Sequence, residues 1–203
     1  MKTLSEIDTT SKRATRGAGF PWGIAEEVGK NMRLLELFGL SGIKNLNKFL
    51  KHYKEKQFQK ITLISDTNNA NKYPFCPIML GTNFIDQVNL LDQKENIQIS
   101  NVAFPILFLP FVSRASEIIG KRIFFKIDEK EFLLNLNQSI YSNYLKNEIL
   151  EISNTVNISF IENNNSFNEN EWKELYKLSE DTFVEETESS KINAAGAGLT
   201  DND

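Results

Sequence analysis

Residues 122–136 read Arg122-Ile123-Phe124-Phe125-Lys126-Ile127-Asp128-Glu129-Lys130-Glu131-Phe132-Leu133-Leu134-Asn135-Leu136. Arg122 to Ile127 and Glu131 to Leu136 are short apolar runs bounded by turn residues, the pattern of a hairpin-like pair of strands. A second such pair is predicted for Ile149 to Ile152 with Val156 to Ile161. Upstream, Ile61-Thr62-Leu63-Ile64, Pro77-Ile78-Met79-Leu80 and Val102 to Leu109 have the length and bounding residues of buried strands, with helical patches at Thr82 to Leu91 and Phe111 to Ile119. These runs predict a mixed sheet. Downstream, Ser166 to Glu171 leads into a helix bearing Trp172, Leu175, Tyr176 and Leu178.

The first part of the chain has a different period. Thr3-Leu4-Ser5-Glu6 matches a capping box, and Leu4, Ile7, Ser11 and Ala14 recur at helical spacing, so a first helix runs to about Arg16. Gly17 and Gly19 end it. Pro21 suits the first position of a second helix, which Gly39 closes, and a third spans Ser41 to about Tyr53. The expected fold is α+β (or α/β): an N-terminal three-helix layer packed on a mixed β-sheet with flanking helices, in a single domain. Its parts are a helical layer over 1–55, a sheet-containing part over 60–183 and a glycine-rich acidic tail over 184–203.

The composition excludes more than it assigns. A chain of 203 residues, 40% hydrophobic and 25% charged, suffices for one sizeable core. Its net charge of −4 argues against a nucleic-acid partner. The basic run Lys48, Lys51, Lys54, Lys56 and Lys60 reads as the solvated face of the third helix and its exit. A lone Cys76 rules out an internal disulfide framework, and MKTLSEIDTT lacks an apolar leader, so the expected location is the cytoplasm. Val102 to Val112, the longest apolar stretch, is too short to span a bilayer and holds two prolines. No membrane partner is expected, and oligomeric state is not legible. Clusters such as Asn163-Asn164-Asn165 read as surface drift.

On the second helix a 100° step per residue places Val28, Met32, Leu35 and Phe38 on one stripe with Ile24, and Glu27 and Asn31 in or beside it. Glu26 faces away, within reach of Lys30. A carboxylate at the edge of an apolar stripe calls for an arginine, a metal or a ligand beside it, or a half-wet rim position. With Pro21 in the first turn, Phe20 would be the cap, and phenylalanine offers no acceptor to the free N–H groups. An anionic ligand near Arg16, the chain's own Asp201, Asp203 or terminal carboxylate, or water would each serve.

The expected ligand-binding set is Arg16, Gly17, Gly19, Trp22, Gly23, Asn31, Arg114, Gly198, Thr200 and Asp203. Glu27 and Asp201 are the candidate catalytic carboxylates, as base or as ligands of a divalent cation, for which the tail supplies hard oxygen donors. Cofactor and metal are otherwise undetermined. Arg114 is expected where a strand, Ile106 to Leu109, gives way to a helix, or paired with Glu117 on its own helix. Cys76 reads as a buried structural thiol rather than a nucleophile with His52 as base.

Leu4-Ser5-Glu6-Ile7, the segment RGAGFPWGIAEEVGK over 16–30 and the closing AGAGLTDND over 195–203 resemble a bacterial domain-of-unknown-function family, the one numbered 3726. The middle of the chain resembles it loosely, through CPIMLG and LPFVSRA. The resemblance implies that the tail is part of the domain; it implies no activity. Lys191-Ile192-Asn193 departs from the family's expected arginine and small residue. Two functions are compatible with these readings. One is a protein of bacterial small-molecule metabolism whose anion or carboxylate site joins the N-terminal segment to the tail, with enzymatic activity undetermined. The other is a noncatalytic accessory subunit whose tail docks into a partner enzyme.

Overall fold

The computed structural model describes residues 2–53, 55–144 and 148–183. Three helices open the chain: α1 (Leu4–Gly17), α2 (Trp22–Leu37) and α3 (Gly42–Tyr53). The capping box forms: Glu6 N–H donates to the Thr3 hydroxyl, and Thr3 N–H donates to the Glu6 carboxylate at 2.8 Å. Then come β1 (Thr67–Asn68), α4 (Pro77–Leu91), β2 (Ile97–Ala103), a short 3₁₀ turn (Pro105–Leu107) and α5 (Leu109–Ile119). Strands β3 (Arg122–Ile127), β4 (Lys130–Asn135), β5 (Ser139–Ser142) and β6 (Ile152–Ile161) complete the sheet.

The sheet has the order β1-β2-β6-β3-β4-β5, with β1 and β2 parallel and every other neighbouring pair antiparallel. It is mixed, and the fold is α+β. The hairpin of β3 and β4 forms as expected, with Phe125 opposite Phe132 and Lys126 opposite Glu131. Alternation sends Ile123, Phe125, Ile127, Phe132, Leu134, Val156 and Ile158 inward, as the two-residue period of a strand requires. The other face is mixed, with Phe124 opposite Leu133 and Lys126 Nζ 3.5 Å from Glu131 across the strands. Helices α4 and α5 pack together, and α5 also contacts β3 and β4. Phe108 meets Phe84 and Phe125 edge-on, at centroid distances of 5.6 and 5.7 Å.

Residues 1–163 form one unit and 164–203 another. The second, in its described part, is the helix α6 (Glu169–Ser179) with a full capping box from Asn168 and Glu171. Trp172, Leu175 and Tyr176 lie on one face at helical spacing and are exposed, with Phe167 stacked on Trp172 at 5.5 Å. The glycine-rich tail lies outside the described residues, and with it Asp201, Gly198, Thr200 and Asp203.

Four strand expectations are corrected. Pro77-Ile78-Met79-Leu80 is the first turn of α4, with Pro77 in its opening turn, where a missing N–H costs nothing. Val102 to Leu109 is a strand only to Ala103. Phe104 then takes φ +42 and the chain turns into the 3₁₀ turn and α5. A continuous apolar run has no period to separate a buried helix from a strand. Ile61 to Ile64 is irregular, its backbone satisfied by side chains of α4: Gln87 accepts from Ile64 N–H at 3.0 Å and donates to the Thr62 carbonyl at 3.0 Å. The pair predicted within 149–161 is one strand, because Asp128 accepts from both Asn154 and Thr155 N–H at 3.0 Å. The polar residues that resembled a turn are thus held in an extended chain.

Gly81 faces Phe111: a Cβ there would lie 2.3 Å from the ring. A Cβ at Gly17 would meet nothing within 4 Å. Chemical denaturation will find Gly81→Ala destabilised by about 1–3 kcal/mol through overpacking, and Gly17→Ala unchanged or more stable by up to about 1 kcal/mol through helix propensity.

Candidate functional site

Helix α2 divides the expected site residues between two flanks. At its start, Pro21 is the cap and Trp22 the first helical residue, one position later than expected, and no side chain caps the helix. Phe20 is only 2% exposed and packs 4.5 Å from the Tyr53 ring. That contact pins the turn between α1 and α2 to α3, which accounts for a phenylalanine where a capping residue would serve the helix better. Of the glycines in this turn, Gly19 requires its identity, at φ +106; Gly17 and Gly23 have open space around them. Arg16 Nη1 donates to the Phe20 carbonyl at 3.1 Å, and its guanidinium lies 5.6 Å from the Trp22 ring centroid. It closes the turn and stacks on an exposed indole.

Five residues along α2, about 140° further round its axis, Glu27 faces α5. The arginine called for by its position is Arg114: Arg114 Nη1 donates to Glu27 Oε2, and Lys30 Nζ donates to Glu27 Oε1 at 2.9 Å. Lys30 is therefore the partner of Glu27, not of Glu26, which is exposed. Arg114 lies inside α5 rather than at a strand end, and reaches across to α2 instead of pairing with Glu117. The structure thus brings together Glu27, Asn31 and Arg114, and places Arg16, Gly17, Gly19 and Trp22 on the other flank.

A cleft of about 180 Å³ opens beside this ion pair, lined by Lys30, Asn31 and Leu34 of α2, Pro110, Arg114 and Glu117 of α5, and Asn137. Asn31 is 5% exposed, and its amide nitrogen has no hydrogen-bond partner among the described residues. A buried amide donor without an acceptor costs on the order of 1–3 kcal/mol. Asn137 sits at φ +58 in the turn between β4 and β5, a conformation asparagine tolerates better than most residues. It accepts from Ser113 Oγ at 3.0 Å and donates to Glu117 Oε2 at 3.1 Å, so the turn orients Glu117 at the mouth of the cleft. Asn137 was hidden in the sequence by the abundance of asparagine. Glu117, three residues from Arg114, and Lys30, four from Glu26, carried a signal, and it pointed to local ion pairs rather than to a shared cleft.

Cys76 is 1% exposed at the start of α4, and burial pushes its thiol up to about 11. Thiolate nucleophilicity is unavailable there at neutral pH. Among the described residues no group of three or more His, Cys, Asp or Glu could hold a metal ion, and no helix is long and apolar enough to cross a membrane.

An α+β protein with a helical layer over its N-terminal quarter and a polar cleft on α2 is the class these features define. Residues 2–76 match the family model described as a protein of unknown function (DUF3726), the family that the terminal motifs resemble. The match takes in α1, α2 and α3, with Glu27, Lys30 and Asn31; Arg114 and Glu117 lie beyond it. No curated protein and no solved structure matches the chain.

A thiol titration checks the assignment of Cys76. An aromatic disulfide reagent will label no cysteine in the native protein within minutes and one per chain in denaturant.

Proposed function

We propose that the protein binds a small carboxylate-bearing molecule in the cleft between α2 and α5, as a protein of bacterial, cytoplasmic small-molecule metabolism. The observation behind this reading is Asn31, which lines the same cleft as Lys30 and Arg114 and whose buried amide nitrogen has no acceptor among the described residues. A ligand carboxylate would accept from Asn31 and from the guanidinium nitrogens that Glu27 leaves free, in the paired geometry that arginine favours. Both carboxylate oxygens of Glu27 accept hydrogen bonds from cations, so its role in this reading is to hold Arg114 in place rather than to abstract a proton. The anion site is thereby moved from the Arg16 turn, where the guanidinium serves the Phe20 carbonyl, to the opposite flank of α2.

Asn31→Leu separates this function from a structural role. In the absence of ligand the variant will be as stable as the wild type or more stable by about 1–2 kcal/mol, because an apolar side chain removes the unsatisfied donor. It will lose the thermal stabilisation that a panel of small carboxylates gives the wild type, which at a hundredfold excess over Kd amounts to about 2.7 kcal/mol. Loss of stability in the variant, or a wild type that no carboxylate stabilises, would refute the reading.

One observation favours the accessory-subunit reading as well. The apolar face of α6, with Trp172, Leu175 and Tyr176, is exposed, as expected of a helix that docks on a partner protein.

A further inference from the structure

The charge arrangement of the α2–α5 cleft narrows the ligand further, resting on the carboxylate reading above. Lys30 and Arg114 supply two positive charges, and Glu27 and Glu117 two negative ones. The site is neutral, yet its charges are segregated. Both cations are gathered on Glu27, on the α2 side that carries Asn31. Glu117, one turn along α5 from Arg114, is held at the mouth through Oε2 by Asn137, and its other oxygen has no partner among the described residues. A bare carboxylate would be drawn to the Asn31 end and repelled at the Glu117 end. A molecule carrying both a carboxylate and an ammonium would satisfy both ends and leave the site neutral.

We infer that the ligand is a zwitterion of the α-amino acid class, its carboxylate on Asn31 and Arg114 and its ammonium on Glu117. Ser113 and Asn137 are positioning residues for Glu117: the hydroxyl of Ser113 donates to Asn137 Oδ1, which turns the amide nitrogen toward the carboxylate. The volume, about 180 Å³, corresponds to about six water molecules at their liquid density. That space admits a small amino acid. Leu34 and Pro110 form an apolar wall for its side chain.

The test is isothermal titration of the full-length protein with matched pairs, each amino acid against the acid of the same skeleton without the amino group: alanine and propionate, glutamate and glutarate, phenylalanine and 3-phenylpropionate. The amino acid of the best pair will bind about tenfold or more tightly than its partner, the worth of one charge-assisted hydrogen bond. Glu117→Gln keeps the acceptor for Asn137 and removes the charge. In that variant the amino acid will fall to the affinity of the deaminated acid, which itself will bind unchanged or more tightly. Equal affinities within every pair in the wild type, or a preference that survives Glu117→Gln, overturn the zwitterion while leaving carboxylate binding in place. Failure of every compound to bind the wild type overturns the carboxylate reading and this inference with it.

Discussion

The structure depends on the burial of one face of its sheet beneath α5. Ile123, Phe125, Ile127, Phe132 and Leu134 leave water only if an apolar helix lies over them, and α5 meets that need with Leu109, Pro110, Phe111, Val112 and Ala115, all fully or nearly fully buried. Each of the larger aliphatic and aromatic side chains contributes on the order of 1.5–3 kcal/mol, and the aromatic contacts from Phe84 through Phe108 to Phe125 and Phe132 join α4, α5 and the hairpin. A helix so deeply enclosed has little surface left. Its two charged side chains, Arg114 and Glu117, emerge on one strip beside α2, and the candidate cleft lies there because that is the remaining way out of the core.

Helix α2 is shaped by the same economy of space. On one flank Gly29 meets α1 so closely that a Cβ would lie 2.9 Å from the Asp8 carbonyl oxygen, which makes that flank a packing surface. On the other flank Glu27 and Asn31 cannot be buried alone, and α5 supplies the arginine that makes Glu27 tolerable. A partly exposed ion pair of this kind adds little to stability. Its consequence is orientation, since Glu27 takes Nη1 of Arg114 and holds the guanidinium against α2.

Local patterns were legible where they were redundant. The capping box at Thr3, the glycine stop at Gly39 and the alternation through Phe125 and Phe132 each have a physical cause within a few residues, and those elements form where expected. Pro77 to Leu80 and Ile106 to Leu109 are ambiguous in sequence, because an unbroken apolar run is equally at home in a strand or a buried helix, and prolines in the first turn tip the balance. Residues 149–161 mislead for another cause: Asp128, distant in sequence, accepts from the backbone of Asn154 and Thr155 and holds it extended.

For the site, the helical period alone placed Glu27 at the edge of an apolar stripe and demanded a partner for it, since a carboxylate's desolvation cost is a property of the residue and its period. Which partner arrives is a matter of topology. Arg114 is 87 residues away, and only the packing of α5 between sheet and α2 brings it across. The same packing sends Arg16 to the opposite flank, because α1 and α5 contact α2 on different sides, and it brings Asn137 from a β-turn to Glu117. The sequence by itself determined which side chains are costly to bury; the tertiary structure decided which of them meet.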